Sequence, residues 1–329
     1  MMKKYLIGFI AVIFSFSGQA ARELTDQLGR KVVIDDHVER VAVLQHQTLN
    51  LLVQLDATDK IVGVMGNWRE QLGQNYERLA PELVKVPNVG DLKSVNLESL
   101  VQLKPQVVFV TNYAPQEMID KITQVGIPVV AISLQKDNSS HAKNNVNPEL
   151  DNEEQAYNDG LKEGITLIGD IVNKPDNAKE LIKQTFDSRN IVIQRLKDIP
   201  ENQRVRAYMA NPDLTTYGSG KYTGLMMQHA GAMNVAAATI KGYKQVSLEQ
   251  VISWNPEVIF VQDRYPGVVD EINNDPRWLV IDAVKNKRVY LMPEYAKAWG
   301  YPMPEAMAIG ELWMAAKLYP QKFADIDVD

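Results

Sequence analysis

Residues able to grip a small molecule recur just after the short apolar runs of this 329-residue chain. Gln45 and His46 follow residues 41–44, Asn67, Trp68 and Arg69 follow 61–65, and Asn112 and Tyr113 follow 107–111. In the second half, Tyr217 and Tyr222 lie in TTYGSGKY after 205–209. Asp263, Arg264 and Tyr265 follow 258–261, and Trp299 and Tyr301 come after 289–292. If those runs are parallel strands, their carboxyl ends are where an open sheet receives a ligand. The set is rich in tryptophan, tyrosine and arginine and poor in acids. Aromatic faces stack, and guanidinium groups fork onto anionic oxygens, so the set suits a large, flat, anionic ligand. His46 admits several roles: completing the coordination of a chelated metal, ligating haem, donating to an oxyanion, or packing at a helix start.

Catalysis has less support. No HExxH or GxSxG occurs, and no nucleophile, base and orienting group share a suggestive spacing. Cysteine is absent, which excludes disulfides, thiolate metal sites and a cysteine nucleophile. The glycine-rich TYGSGKYTG (216–224) lacks the GxxxxGK[ST] spacing of a nucleotide loop. Its backbone N–H groups ahead of a helix could still cradle an oxyanion. These features point to binding rather than turnover.

The elements that must position these residues are legible in a repeat. Residues 95–110 read VNLESLVQLKPQVVFV and residues 246–261 read VSLEQVISWNPEVIFV, with a constant offset of 151 and seven identities. Each copy reads as a short helix, a proline-marked turn (Pro105, Pro256) and a buried strand. A duplicated α/β unit half a chain apart implies two similar lobes with a cleft between them. Strand candidates at 41–44, 61–65, 107–111 and 129–133 alternate with helical patterns at 48–55 and 116–124, so each sheet should be mostly parallel and covered on both faces. LTDQLGRKVVID (24–35) reads as a hairpin turning at Gly29. The polar stretch 135–155, which contains His141, reads as an exposed excursion, and His37 and His229 read as structural.

Residues 176–199 read as one long amphipathic helix after Pro175, with Asn177 and Glu180 as a capping box and Ala178, Ile182, Phe186, Ile193 and Leu196 on one face. Between two lobes it would be a stiff connector. The second lobe follows with a strand at 205–209, a helix at 224–231, the second repeat copy, a strand at 289–292 and a helix from 304 to about 318. The expected layout is a signal peptide at 1–20, an N-terminal lobe at 21–173, a linker helix at 174–200 and a C-terminal lobe at 201–329.

The leader rests on Lys3 and Lys4, the apolar run 5–16 and the small residues near 18–20, which are too short for a membrane span. Removing both lysines takes the formal charge from −6 to −8. An acidic body argues against nucleic acid as a partner. With no cysteine to carry a lipid anchor, the mature chain is expected free in the periplasm of a Gram-negative cell.

The opening TDQLGRKVVI with RVAVL, the two LE-x₆-P units and the C-terminal YPMPEAMAIGELWMAAKLYP together resemble the periplasmic binding proteins of siderophore, haem and cobalamin importers. The resemblance spans residues 24–329. It implies two doubly wound α/β lobes joined by a rigid helix, a small closing motion, and a monomer that serves an importer's permease dimer and ATPase subunits without a cofactor of its own. It further implies that one glutamate per lobe, Glu98 and Glu249, docks onto basic residues of the permease. The ligand expected first is a ferric siderophore or similar metal chelate. A molybdate or tungstate oxyanion, haem and cobalamin stand as alternatives, and a periplasmic enzyme is the reading outside this class.

Overall fold

The computed structural model describes residues 20–136, 147 and 149–328. All but the last residue of the expected leader, and His141, lie outside the described residues. The chain opens with an antiparallel hairpin of β1 (Ala21–Thr25) and β2 (Lys31–Asp35), turning at Gly29 with φ 78°. Asp26 holds that turn, accepting from the backbone N–H groups of Leu28 and Arg30 and from the Arg30 guanidinium.

The first lobe follows as β3 (Val41–Val43), α1 (His46–Gln54), β4 (Ile61–Val64), α2 (Trp68–Leu72), α3 (Leu97–Leu103), β5 (Val107–Thr111), α4 (Gln116–Gln124) and β6 (Val129–Ile132). Two long helices come next, α5 (Glu153–Ile171) and α6 (Pro175–Leu196). The second lobe contains β7 (Val205–Ala210), β8 (Thr215–Tyr217), α7 (Tyr222–His229), β9 (Ala232–Asn234), β10 (Tyr243–Gln245), α8 (Leu248–Trp254), β11 (Val258–Val261), α9 (Pro266–Asn274), α10 (Asp282–Lys285), β12 (Val289–Leu291) and α11 (Glu311–Leu318).

The duplication reaches the topology. The two four-stranded sheets run β4-β3-β5-β6 and β9-β7-β11-β12, parallel throughout, with the repeated strand third in each. The repeated helices are built alike. Asn96 and Ser247 cap them by accepting from Ser99 N and Gln250 N, and both end on a left-handed residue, Lys104 or Asn255, just before the proline. All five residues of β5 are buried, as a strand covered on both faces requires.

Each lobe has an outer core of its own, around Val108 and Ile119 in one and Ile259 and Ile272 in the other. The inner faces share a single larger core that runs from Leu49 and Phe109 through Ile165 and Val192 to Phe260 and Trp313. A common core resists hinge opening, because separating the lobes would expose apolar surface.

The connector α6 spans about 33 Å at 1.5 Å per residue. Pro175 occupies its first turn, so the expected Asn177–Glu180 capping box does not form: proline suits that position, and Asn177 instead donates to Leu55 O. The expected apolar face is also rotated. Ile193 is 48% exposed, and the buried stripe is Ala178, Thr185, Arg189, Val192 and Leu196. Arg189 belongs to that stripe because Glu311 meets it at 3.0 Å, with Tyr222 donating to the same carboxylate and His229 packed against both groups.

The polar stretch 135–155 leads into α5, a helix the sequence reading did not anticipate. Gly160 explains why: a Cβ there would lie 2.2 Å from Gln135 Cα, so this residue of low helix propensity is needed where the helix meets the preceding loop. The final helix is split. A π-helical turn over Ala306–Gly310 precedes α11.

Candidate functional site

The carboxyl ends of both sheets face one another, and the side chains that follow the strands meet there. Trp299 is the centre. His46, the first residue of α1, stands edge-on to its indole with ring centroids 4.7 Å apart. The Arg264 guanidinium lies 5.8 Å and the Lys297 ammonium 4.8 Å from the indole centroid. Tyr301, two residues on, packs 6.5 Å from Tyr113 of the other lobe and lies over the Lys221 ammonium at 4.4 Å. Gly300 makes this layer possible: it has φ 81°, and a Cβ there would sit 2.9 Å from Lys221 Cε.

Arg264 supplies the guanidinium of the cleft. Its Nε and Nη2 donate to Gln262 Oε1 at 3.3 and 3.1 Å, and its Nη1 donates across the cleft to Gln71 Oε1 at 2.8 Å. Gln262 is braced in turn by Asn211 and Tyr217. These acceptors are neutral amides, so the guanidinium keeps its charge beside the aromatic walls. Lys297 donates to the carbonyl of Leu72 at 3.0 Å, and burial pushes its amine down against the opposing pull of Glu305, Asp263 and Glu294. Burial, reinforced by Arg264 and Lys297, drives His46 down to about 3, so it is a neutral imidazole in ordinary solution. Asp263 is the nearby acid, and burial raises it to about 6 although Lys297 and Arg264 oppose the shift.

Two polar atoms here are buried without a hydrogen-bond partner among the described residues: Trp299 Nε1 and the Tyr301 hydroxyl. Burying such groups costs free energy unless something accepts from them. One guanidinium, two ammonium groups, these two donors and a neutral histidine therefore line the cleft. Among the described residues no group of three or more His, Cys, Asp or Glu could hold a metal ion.

Of the residues read from sequence, His46, Tyr113, Tyr217, Arg264, Tyr265 and Trp299 come together around this point, Tyr265 lying 5.6 Å beneath the guanidinium. Others do not. Gln45 spends its amide on Thr48 and on Val110 O within its own lobe. Trp68 is 2% exposed in the core, and Arg69 is exposed, lying over the Trp68 ring and paired with Glu77. Asn67 precedes α2 with its Oδ1 buried and unpartnered. Tyr222 is fully buried against Tyr157 and bonded to Glu311, a structural post.

The glycine-rich loop does not cradle an anion either. The N–H groups of Gly218, Ser219 and Tyr222 go to Gly242 O, Ile240 O and Gly300 O, and that of Gly220 goes to the Glu153 carboxylate. Sequence reasoning missed Lys297, Gln71 and Gln262. Lys297 and Gln262 sit in post-strand loops beside chosen residues, so the same positional rule covered them.

A cavity of about 750 Å³ is lined by Tyr76, Arg78, Lys297, Glu294 and Glu305 among others, a wall of mixed charge.

The family described as periplasmic binding protein matches residues 41–296. The chain belongs to the periplasmic binding protein family. Within it, this binding protein is 62% identical over 328 residues to a molybdate-binding protein of Haemophilus influenzae, covering 100% of this chain and 93% of that one. The solved structure of that relative bound to molybdate has a TM-score of 0.89 at 63% identity, covering 93% of this chain and 94% of the other. A Bacillus subtilis Fe(3+)-citrate-binding protein is more distant, at 24% identity over 275 residues, covering 82% of this chain and 78% of that protein. A periplasmic solute-binding protein of Veillonella parvula has a TM-score of 0.74 at 25% identity, covering 94% and 89%. The two-lobe fold with a rigid helix, expected from the resemblance, is the fold of this family.

Proposed function

We propose that this protein binds a tetrahedral oxyanion, molybdate or tungstate, in the interlobe cleft and delivers it in the periplasm to an ABC importer. The observation that carries the reading is Arg264, a cleft guanidinium held by neutral amides from both lobes. The likeness to a molybdate-binding protein over essentially the whole chain supports it.

The ferric-siderophore expectation gives way to this alternative for a physical reason. A bulky chelate needs separated walls, but here Arg264 bonds Gln71 across the cleft at 2.8 Å and His46 touches Trp299. A small anion fits between groups so close. A dianion would take the two remaining guanidinium N–H groups together with the Trp299 and Tyr301 donors. Relatives that are transport receptors support reading the protein as a receptor and not an enzyme.

Glu98 and Glu249 serve in this reading as the docking charges. Both are exposed at the second position of identically capped helices, one per lobe. Fixed charges at two points orient an encounter and speed it.

Calorimetric titration with molybdate, tungstate, sulfate and ferric citrate tests the reading. Heat from the first two is expected. Saturable binding of ferric citrate with none of the oxyanions would reverse it.

A further inference from the structure

The bond from Arg264 to Gln71 joins two lobes at the point of contact with the anion, and the chemistry of its acceptor is unusual for this molecule. Several other arginines here pair with carboxylates, Arg30 with Asp26, Arg189 with Glu311 and Arg195 with Asp325, while Arg40 and Arg288 donate to backbone carbonyls. Arg264 instead meets two amides. Gln262, two residues away on the same strand end, takes its Nε and one Nη, and Gln71 of α2 takes the other Nη. Of the five N–H groups a guanidinium carries, three are then fixed and two remain, one on each Nη. The plane of the fork is set from both lobes while its charge is left whole.

The segment carrying Gln71 is itself pinned to the opposite lobe. Leu72 O accepts from Lys297, and Asn75 donates from its backbone and side chain to Glu294 at 3.2 and 3.1 Å. Gly73 has φ 107°, and a Cβ there would lie 2.7 Å from Glu294 Cδ, so this stretch cannot shift freely. The gap between the lobes at the anion is therefore a fixed length.

Building on the oxyanion reading, we infer that Gln71 is a positioning and selectivity residue: it aims the Arg264 fork from the opposite lobe without neutralising it and sets the size of oxyanion the cleft accepts. Shape alone does not separate molybdate from sulfate, since both are tetrahedral dianions. A cleft of fixed width separates them by size. Released from Gln71, the arginine would follow either ion, and the preference would shrink.

The test uses the full-length protein and its variants Gln71→Ala and Gln71→Glu, titrated with molybdate and with sulfate, with a thermal melt for each. Gln71→Ala is expected to weaken molybdate by roughly threefold to tenfold, less than the full worth of a hydrogen bond to a charged group because Gln262 still holds the arginine, and sulfate by less, so that the ratio of affinities falls. Gln71→Glu keeps the bond, melts no lower than the wild type, and is expected to weaken molybdate by more than about thirtyfold, because the added charge cancels that of the arginine. A purely structural role would give the opposite order, with the glutamate variant binding as the wild type does.

Wild-type binding of molybdate with both variants unchanged, or with the glutamate variant unimpaired, overturns the role of Gln71 alone. A wild-type protein that binds neither molybdate nor tungstate overturns the oxyanion reading and this role with it.

Discussion

Replacing Arg264 with alanine removes a cleft guanidinium whose hydrogen-bond partners are neutral amides, and it should weaken molybdate by about 1.5–3 kcal/mol, the range for a hydrogen bond to a charged group. The fold should survive at a cost of about 1–3 kcal/mol, because the buried Gln262 amide oxygen loses its donor; unchanged affinity for molybdate would take Arg264 out of the site. A second expectation concerns proton uptake. Asp263 faces Arg264 and Lys297 and titrates near 6. Below that value it is neutral and the positive field is stronger, so affinity should rise as pH falls from 7.5 to 5. Asp263→Asn should abolish the trend, and His46 cannot mimic it because it stays neutral down to about 3. Arg264, Tyr113 and His46 were legible from sequence because they follow strands within three residues, and Trp299 because it lies in the loop that leaves β12. Trp68 and Arg69 follow one too, but α2 starts at Trp68, and its turn sends one ring into the core and one guanidinium outward. Gln71 sits a full turn further on, and its role depends on a partner 193 residues away that no local pattern reveals.

Among the elements, the twin helices α3 and α8 carry the most definite expectation. The double change Glu98→Ala, Glu249→Ala should abolish uptake in cells while purified protein keeps its affinity for molybdate; normal uptake by that variant would free both side chains for another role. Each single change should leave partial uptake, because the remaining charge still orients one lobe. These helices were legible for the same reason that their sheets were: a proline and a continuous apolar strand punctuate both copies of the repeat. The helix α5 was hidden because Gly160, Gly164 and Gly169 dilute its pattern. Each answers to a close neighbour, a Cβ meeting Gln135, Leu134 or Ala178 at 2.2 to 2.6 Å, and single-sequence periodicity carries no trace of such contacts.

At the scale of the molecule, stability should hinge on the ion cluster between α6 and α11. Glu311→Ala leaves Arg189, only 4% exposed, without the buried carboxyl that accepts from its Nε, and should cost about 3–5 kcal/mol in chemical denaturation. A loss below 1 kcal/mol would mean that water reaches the arginine. Burial pushes the Glu311 carboxyl up to about 8, outweighing Arg189 and Tyr222. A raised value means that the folded chain holds a proton the unfolded chain releases. This contribution is therefore complete below about 4.5 and drains away as pH climbs through about 8. Glu311→Gln should flatten that alkaline limb. His46 acts with the opposite sign, its lowered value eroding stability as pH drops from 6.5 towards 3. The buried ionic stripe on α6 is also where the whole-molecule reading from sequence was incomplete, since a charged residue on an expected outer face gave no hint of Glu311 122 residues ahead.

The matched capping of α3 and α8 has one more outcome. The two lobes present near-copies of one helix, each with an exposed glutamate at its second position, so if a half-turn relates the lobes it exchanges the two charges. A permease made of two equal halves could then accept the receptor in either of two orientations. Such degeneracy is worth RT ln 2, about 0.4 kcal/mol, in favour of productive landing, without a single added contact.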